Sequence, residues 1–151
     1  MSAMKARLEE DMRAAMKARD ELVTSTLRMA IAAVRNAEVA GSAARELSDD
    51  EVLSVLTKEA KKRREAATAF ADAGRAEQAS KERAEEEVLA RYLPSQLSDE
   101  ELAEIVAQAL AGGGFAGLKS MGPAMKAVQA AVAGRAEGGR VAAEVRRQLA
   151  Q

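Results

Sequence analysis

The chain contains no cysteine and no histidine. Disulfides, thiolate chemistry, the usual zinc sites and any histidine general base or triad are therefore excluded. Aromatic residues make up only 2% of the 151 positions and proline occurs twice. A core must then be assembled from Leu, Val, Ile, Met and abundant Ala, and clusters of β-branched and aromatic residues that favour strands are missing. Neither sign of charge dominates: 23 basic residues face 24 acidic ones, for a formal net charge of −1. That balance excludes a dedicated nucleic-acid packager with a chain-wide basic excess. Long apolar runs are also lacking, and the first residues mix Lys and Arg with Glu9, Glu10 and Asp11. The expectation is a cytoplasmic protein without signal peptide, transit peptide or membrane span.

What is present is helical periodicity, so the fold class expected is all-α. Met4, Leu8, Met12 and Met16 recur every four residues and predict a first helix to about Lys17. A second is expected from Asp20 to Ala40, closed by Gly41, and a third from the Ser48–Glu51 capping box to Ala73, stopped by Gly74. A fourth runs from Glu77 to Tyr92. Pro94 cannot continue it, and Ser98 with Glu101 forms a second capping box that opens another helix at Asp99. Beyond that point shorter helices are expected over Asp99–Ala111, over Lys119–Val132, and after Gly138-Gly139. The organisation predicted is an N-terminal domain of about four helices over residues 1–93 and a three-helix C-terminal domain over residues 94–151.

Three constellations carry possible chemistry. In the basic run from Lys58 to Glu65, Lys58, Lys61 and Arg64 project away from the apolar stripe of Val52, Leu56 and Phe70, as a solvated face would. Glu59 and Arg63 fall on that stripe at ion-pair spacing, and Glu38 lies near the apolar side of the second helix. These predict a partly buried polar cluster of Glu38, Glu59 and Arg63 that sets helix register, the alternative being a carboxylate–guanidinium ligand site. The stretch from Gly112 to Ser120 is glycine-rich, but Leu118 separates Gly117 from Lys119 and the loop follows a helix, so it fails as a phosphate loop. Glu85, Glu86 and Glu87 are expected on a surface, since consecutive helical residues point apart. Nothing in the chain forms a catalytic constellation, and no metal or cofactor is implied.

From Phe115 onward six basic residues stand against two acidic ones. Lys119, Lys126, Arg135, Arg140 and Arg147 are the candidate phosphate contacts, with spacings of seven that keep Lys119 with Lys126, and Arg140 with Arg147, opposite the apolar stripes. Without aromatic stacking platforms, such a surface would read the shape and backbone of a folded RNA rather than its bases.

The ordered set Leu27-Arg28, Ala33 to Glu38, Lys58-Glu59, Lys61 to Ala66, Tyr92-Leu93-Pro94, Gln96-Leu97-Ser98, Met121-Gly122, Met125 and Gly134-Arg135-Ala136 resembles that of the small stand-alone YqeY-like proteins. That family shares a C-terminal domain with the B subunit of the tRNA-dependent glutamine amidotransferase. The resemblance implies an all-helical, two-part protein whose residues from about Asp99 look like the part of the amidotransferase that touches transfer RNA. A similar module is appended to some bacterial glutaminyl-tRNA synthetases, so tRNA and an amidotransferase or aminoacyl-tRNA synthetase are the partners implied. The expected role is a tRNA-binding or amidotransferase-associated accessory protein, not catalytic alone. The alternatives are a component or relative of a glutamine-dependent carbon–nitrogen ligase, which would need a separate amidase, and a helical interaction scaffold.

Overall fold

The computed structural model describes residues 2–151, which form seven α-helices and, among the described residues, no strand. Contacts divide them into two compact units, one ending at Leu93 and the other spanning Pro94–Gln151.

The first unit contains α1 (Ala3–Lys17), α2 (Glu21–Glu38), α3 (Asp49–Asp72) and α4 (Ala76–Ala90). Ser2 caps α1 and Asp20 caps α2, each accepting a hydrogen bond from the third residue on. The core gathers Leu8, Leu27, Val34, Val52, Leu56 and Leu89, all nearly or fully buried. The second helix stops at Glu38, two residues short of the expected Ala40. There the amides of Val39 and Ala40 turn to the carbonyls three residues back, which tightens the last turn. The fourth helix likewise ends at Ala90 rather than Tyr92, because Arg91, Tyr92 and Leu93 donate to Val88, Leu89 and Ala90 in the same tightened pattern before Pro94.

The second unit packs α5 (Asp99–Gly113), α6 (Met121–Val132) and α7 (Gly138–Leu149) around Leu102, Val106, Ala124, Val128, Val141 and Val145. A short 3-10 turn, Leu118–Ser120, precedes α6, so Lys119 lies in that turn and not in the helix expected to begin with it. Gly138 and Gly139 are the first residues of α7 rather than its leader.

Leu47 and Leu97 precede the two capping boxes in the same way. In each unit the serine hydroxyl accepts from the amide three residues on, and that residue's carboxylate accepts from the serine amide. The leucine before each serine is buried in the same cluster as the fifth residue after it, Val52 for Leu47 and Leu102 for Leu97, a staple that sets the angle of chain entry. The fifth helix runs through Gly112 and Gly113, two residues past the expected Ala111, and is closed at Gly114. Gly114 takes a left-handed φ of 66°, and the Phe115 amide reaches back to the Leu110 carbonyl at 3.0 Å. A side chain on Gly113 would strike the Phe115 ring at 2.2 Å, so its hydrogen lets that ring fold onto the core of this unit.

Candidate nucleic-acid interface and the buried ion pairs

The five candidate cations of the second unit divide into two kinds. Lys119, in the 3-10 turn, and Lys126, on α6, are exposed, and neither has a hydrogen bond or an ion pair. The other three are engaged within the unit. The Arg135 Nε donates to the Ser95 carbonyl at 3.1 Å, while the Arg135 carbonyl accepts from the Leu97 amide at 2.7 Å. One Arg140 nitrogen donates both to the Leu97 carbonyl at 3.0 Å and to Asp99 at 2.9 Å. Together they stitch the segment after Pro94 to the turn between α6 and α7, through Arg135, and to the first turn of α7, through Arg140. Arg147 pairs one turn back with Glu144 at 2.8 Å, and holds that carboxyl below its ordinary range, with a further hydrogen bond from Gln148. Arg146, absent from the candidates, is exposed and without a partner. Its place between Arg147 and the core residue Val145 gave no spacing signal to single it out.

The polar cluster predicted from Glu38, Glu59 and Arg63 does not assemble, and each member has its own partner. Glu38 accepts from Lys5 of α1 at 2.8 Å, and that hydrogen bond lowers its pKa despite partial burial. Glu59 lies 3.5 Å from Lys62 on its own helix rather than pairing with Arg63. Arg63 crosses to α4, where it stands 3.5 Å from Glu85 and 3.9 Å from Glu82. It also donates to the Met29 sulfur at 3.5 Å. The next residue, Arg64, donates to Glu86 at 2.7 Å, so it faces α4 and is not the outward cation expected.

Glu85 is accordingly buried, 4% exposed, where a surface carboxylate was expected. It sits on the side of α4 that carries Ala79, Val88 and Leu89, and its antiparallel partner α3 delivers Arg63 above it. Burial raises its pKa, the nearby Glu82 adds to the rise, and Arg63 only partly opposes them. The signal that could have found this pair is the line Ala79, Glu82, Glu85, Val88 and Leu89 at spacings of three and four, which places both acids on the apolar side.

Among the described residues no group of three or more acidic, histidine or cysteine side chains could hold a metal ion, and no helix is long and apolar enough to cross a membrane.

Two helical units, one of three helices carrying a stitched N-terminal segment, are the frame in which the comparison with known proteins falls. Residues 5–149 match the family described as Yqey-like protein, and the chain belongs to that family. No curated protein matches the sequence.

Proposed function

We propose that the protein is a tRNA-binding accessory module, without catalytic activity of its own, whose RNA contacts come from the second unit. The observation that carries this reading is the pair Lys119 and Lys126, two exposed ammonium groups with no partner within the protein. A free surface cation gives up only water and counterions when it meets a phosphate, whereas a guanidinium bonded to a carbonyl must first give up that bond. Arg135 and Arg140 therefore act mainly by holding the unit together, and Arg147 contributes what its exchange with Glu144 leaves. Family membership supports the reading at the level of the domain, and the lack of aromatic platforms supports recognition of backbone and shape. Titration of the full chain with bulk tRNA at several salt concentrations tests it. Affinity should fall with salt, and Lys119→Gln with Lys126→Gln should flatten the dependence by about 0.7–0.9 logarithmic units per cation removed. Absence of binding at low salt would retire the reading.

A further inference from the structure

A cavity of about 430 Å³ opens between α1 and α2 of the first unit, lined by Met12, Arg28, Ile31, Ala32, Arg35 and Asn36. Its size lies within the range of small-molecule sites, roughly 300–1,000 Å³. Its chemistry is one-sided: two guanidinium groups and an amide, with no acid in the lining. Arg28 has neither hydrogen bond nor ion pair. Arg35 has a single long contact, 3.5 Å to Glu9, with its own side chain 65% exposed. The Glu9 side chain is only 16% exposed, but it reaches Arg35 through one guanidinium nitrogen, and the other donors of that group stay free for a second acceptor. The Asn36 amide is likewise unbonded.

Arg28 and Arg35 are seven residues apart on α2, so they project from nearly the same face, about 10 Å apart along the axis. Between them lies apolar surface. Ile31 is 4% exposed and Met12 is half-buried, an adaptable thioether wall. The neighbouring groove of about 440 Å³ shares Arg28 but is lined by Asp20 and Glu21 as well as Arg19, which makes that groove electrically mixed and singles out the first cavity. We propose that this cavity binds a small organic anion, its carboxylate or phosphoryl oxygens on Arg28 and Arg35 and its apolar body against Met12, Ile31 and Ala32. Guanidinium groups present paired donors that match either oxyanion, and their hydrogen bonds strengthen beside apolar walls.

The test uses the full chain with ¹³C-labelled methionine methyl groups, titrated separately with hexanoate, hexyl phosphate, hexanol and inorganic phosphate. Expected is a saturable shift of the Met12 methyl by hexanoate or hexyl phosphate, half-complete at or below about 10 mM, with Met125 of the other unit unmoved. Whichever of the two binds more tightly identifies the oxyanion. Hexanol and inorganic phosphate, each offering half the recognition, should bind at least about tenfold more weakly, and the Arg28→Gln/Arg35→Gln protein should lose about tenfold or more for the anions at unchanged helix content. No saturable shift of Met12 with either anion overturns the proposal. Binding of hexanol as tight as that of hexanoate, or anion binding unchanged in the double variant, overturns it equally.

Discussion

The Tyr92 hydroxyl donates to an Asp11 carboxylate oxygen at 2.5 Å, joining the end of the first unit to its first helix across 81 residues. Arg7 lies over the same ring, 4.5 Å from its centroid, and 3.8 Å from Asp11. Burial pushes the phenol pKa up, and the Asp11 hydrogen bond and charge push it further in the same direction. Tyr92→Phe should cost about 1.5–3 kcal/mol, the range for a hydrogen bond to a charged group. Asp11→Ala should cost at least as much, since it leaves the buried hydroxyl unpaired. Urea denaturation of the two variants and their combination checks this, and a combined cost near that of either alone is the expected result. Because the folded phenol holds its proton more tightly than the unfolded one, its contribution is present below the ordinary value of 10.0 and is lost as pH rises toward the raised value.

Arg63 and Glu85 make a second pair whose removal should be asymmetric. Arg63→Met leaves Glu85 charged and buried, and should cost about 3 kcal/mol at neutral pH. Glu85→Gln should be neutral or stabilising by up to about 1 kcal/mol, because Glu82 remains for Arg63 while burial of charge and repulsion from Glu82 are relieved. The pH dependence carries the sign. The folded pKa of Glu85 is raised above its ordinary 4.5, so the folded state binds more protons in that window, and stability falls as pH rises through it. Because Glu38, Glu51, Glu101 and Glu144 are lowered and act with the opposite sign, the readout is a difference: in thermal melts from pH 4.5 upward, Glu85→Gln should gain on the native protein as pH rises, and Arg63→Met should lose on it.

The helix ends were legible because their chemistry is local. Ser48 with Glu51, Ser98 with Glu101, and Pro94 each act on neighbours within four residues, and they place the start of α3, the end of α4 and the start of α5 to within two residues. The partners of Arg63 were not legible in the same way. Glu82 and Glu85 become its neighbours only through the register of α3 on α4, a fact of packing between residues some twenty positions apart. The partners of Arg135 and Arg140 are hidden more deeply, since the Ser95 and Leu97 carbonyls that they bind have no signature in a sequence. Charge patterning singled out five cations of the second unit, passed over the exposed Arg146, and could not sort those spent on structure from those left free.

Arg140 should behave as a structural residue. Arg140→Ala removes its bonds to the Leu97 carbonyl and to Asp99 and should lower the stability of the second unit by about 1–2 kcal/mol. Lys126→Ala, which removes no bond, should stay within about 0.5 kcal/mol of the parent. Hydrogen exchange at the amides of α5 and α7 reads both effects in the intact chain.

Ala133 ends α6 in a left-handed conformation with φ of 52°, where a side chain is strained. Ala133→Gly should stabilise the protein by about 0.5–1 kcal/mol, as glycine adopts that angle without steric cost. The denaturation midpoint should rise with an unchanged slope.

The central claim is that the free lysines of the second unit meet the phosphates of transfer RNA. Its most direct measurement is tRNA affinity against salt concentration for the full chain, for Lys119→Gln/Lys126→Gln, and for Arg140→Ala. The account predicts a salt slope that loses about 1.4–1.8 units in the double lysine variant and less than one unit in Arg140→Ala, whose guanidinium already serves the fold. A slope unchanged by the lysine substitutions, or no measurable binding of tRNA at low salt, would contradict it.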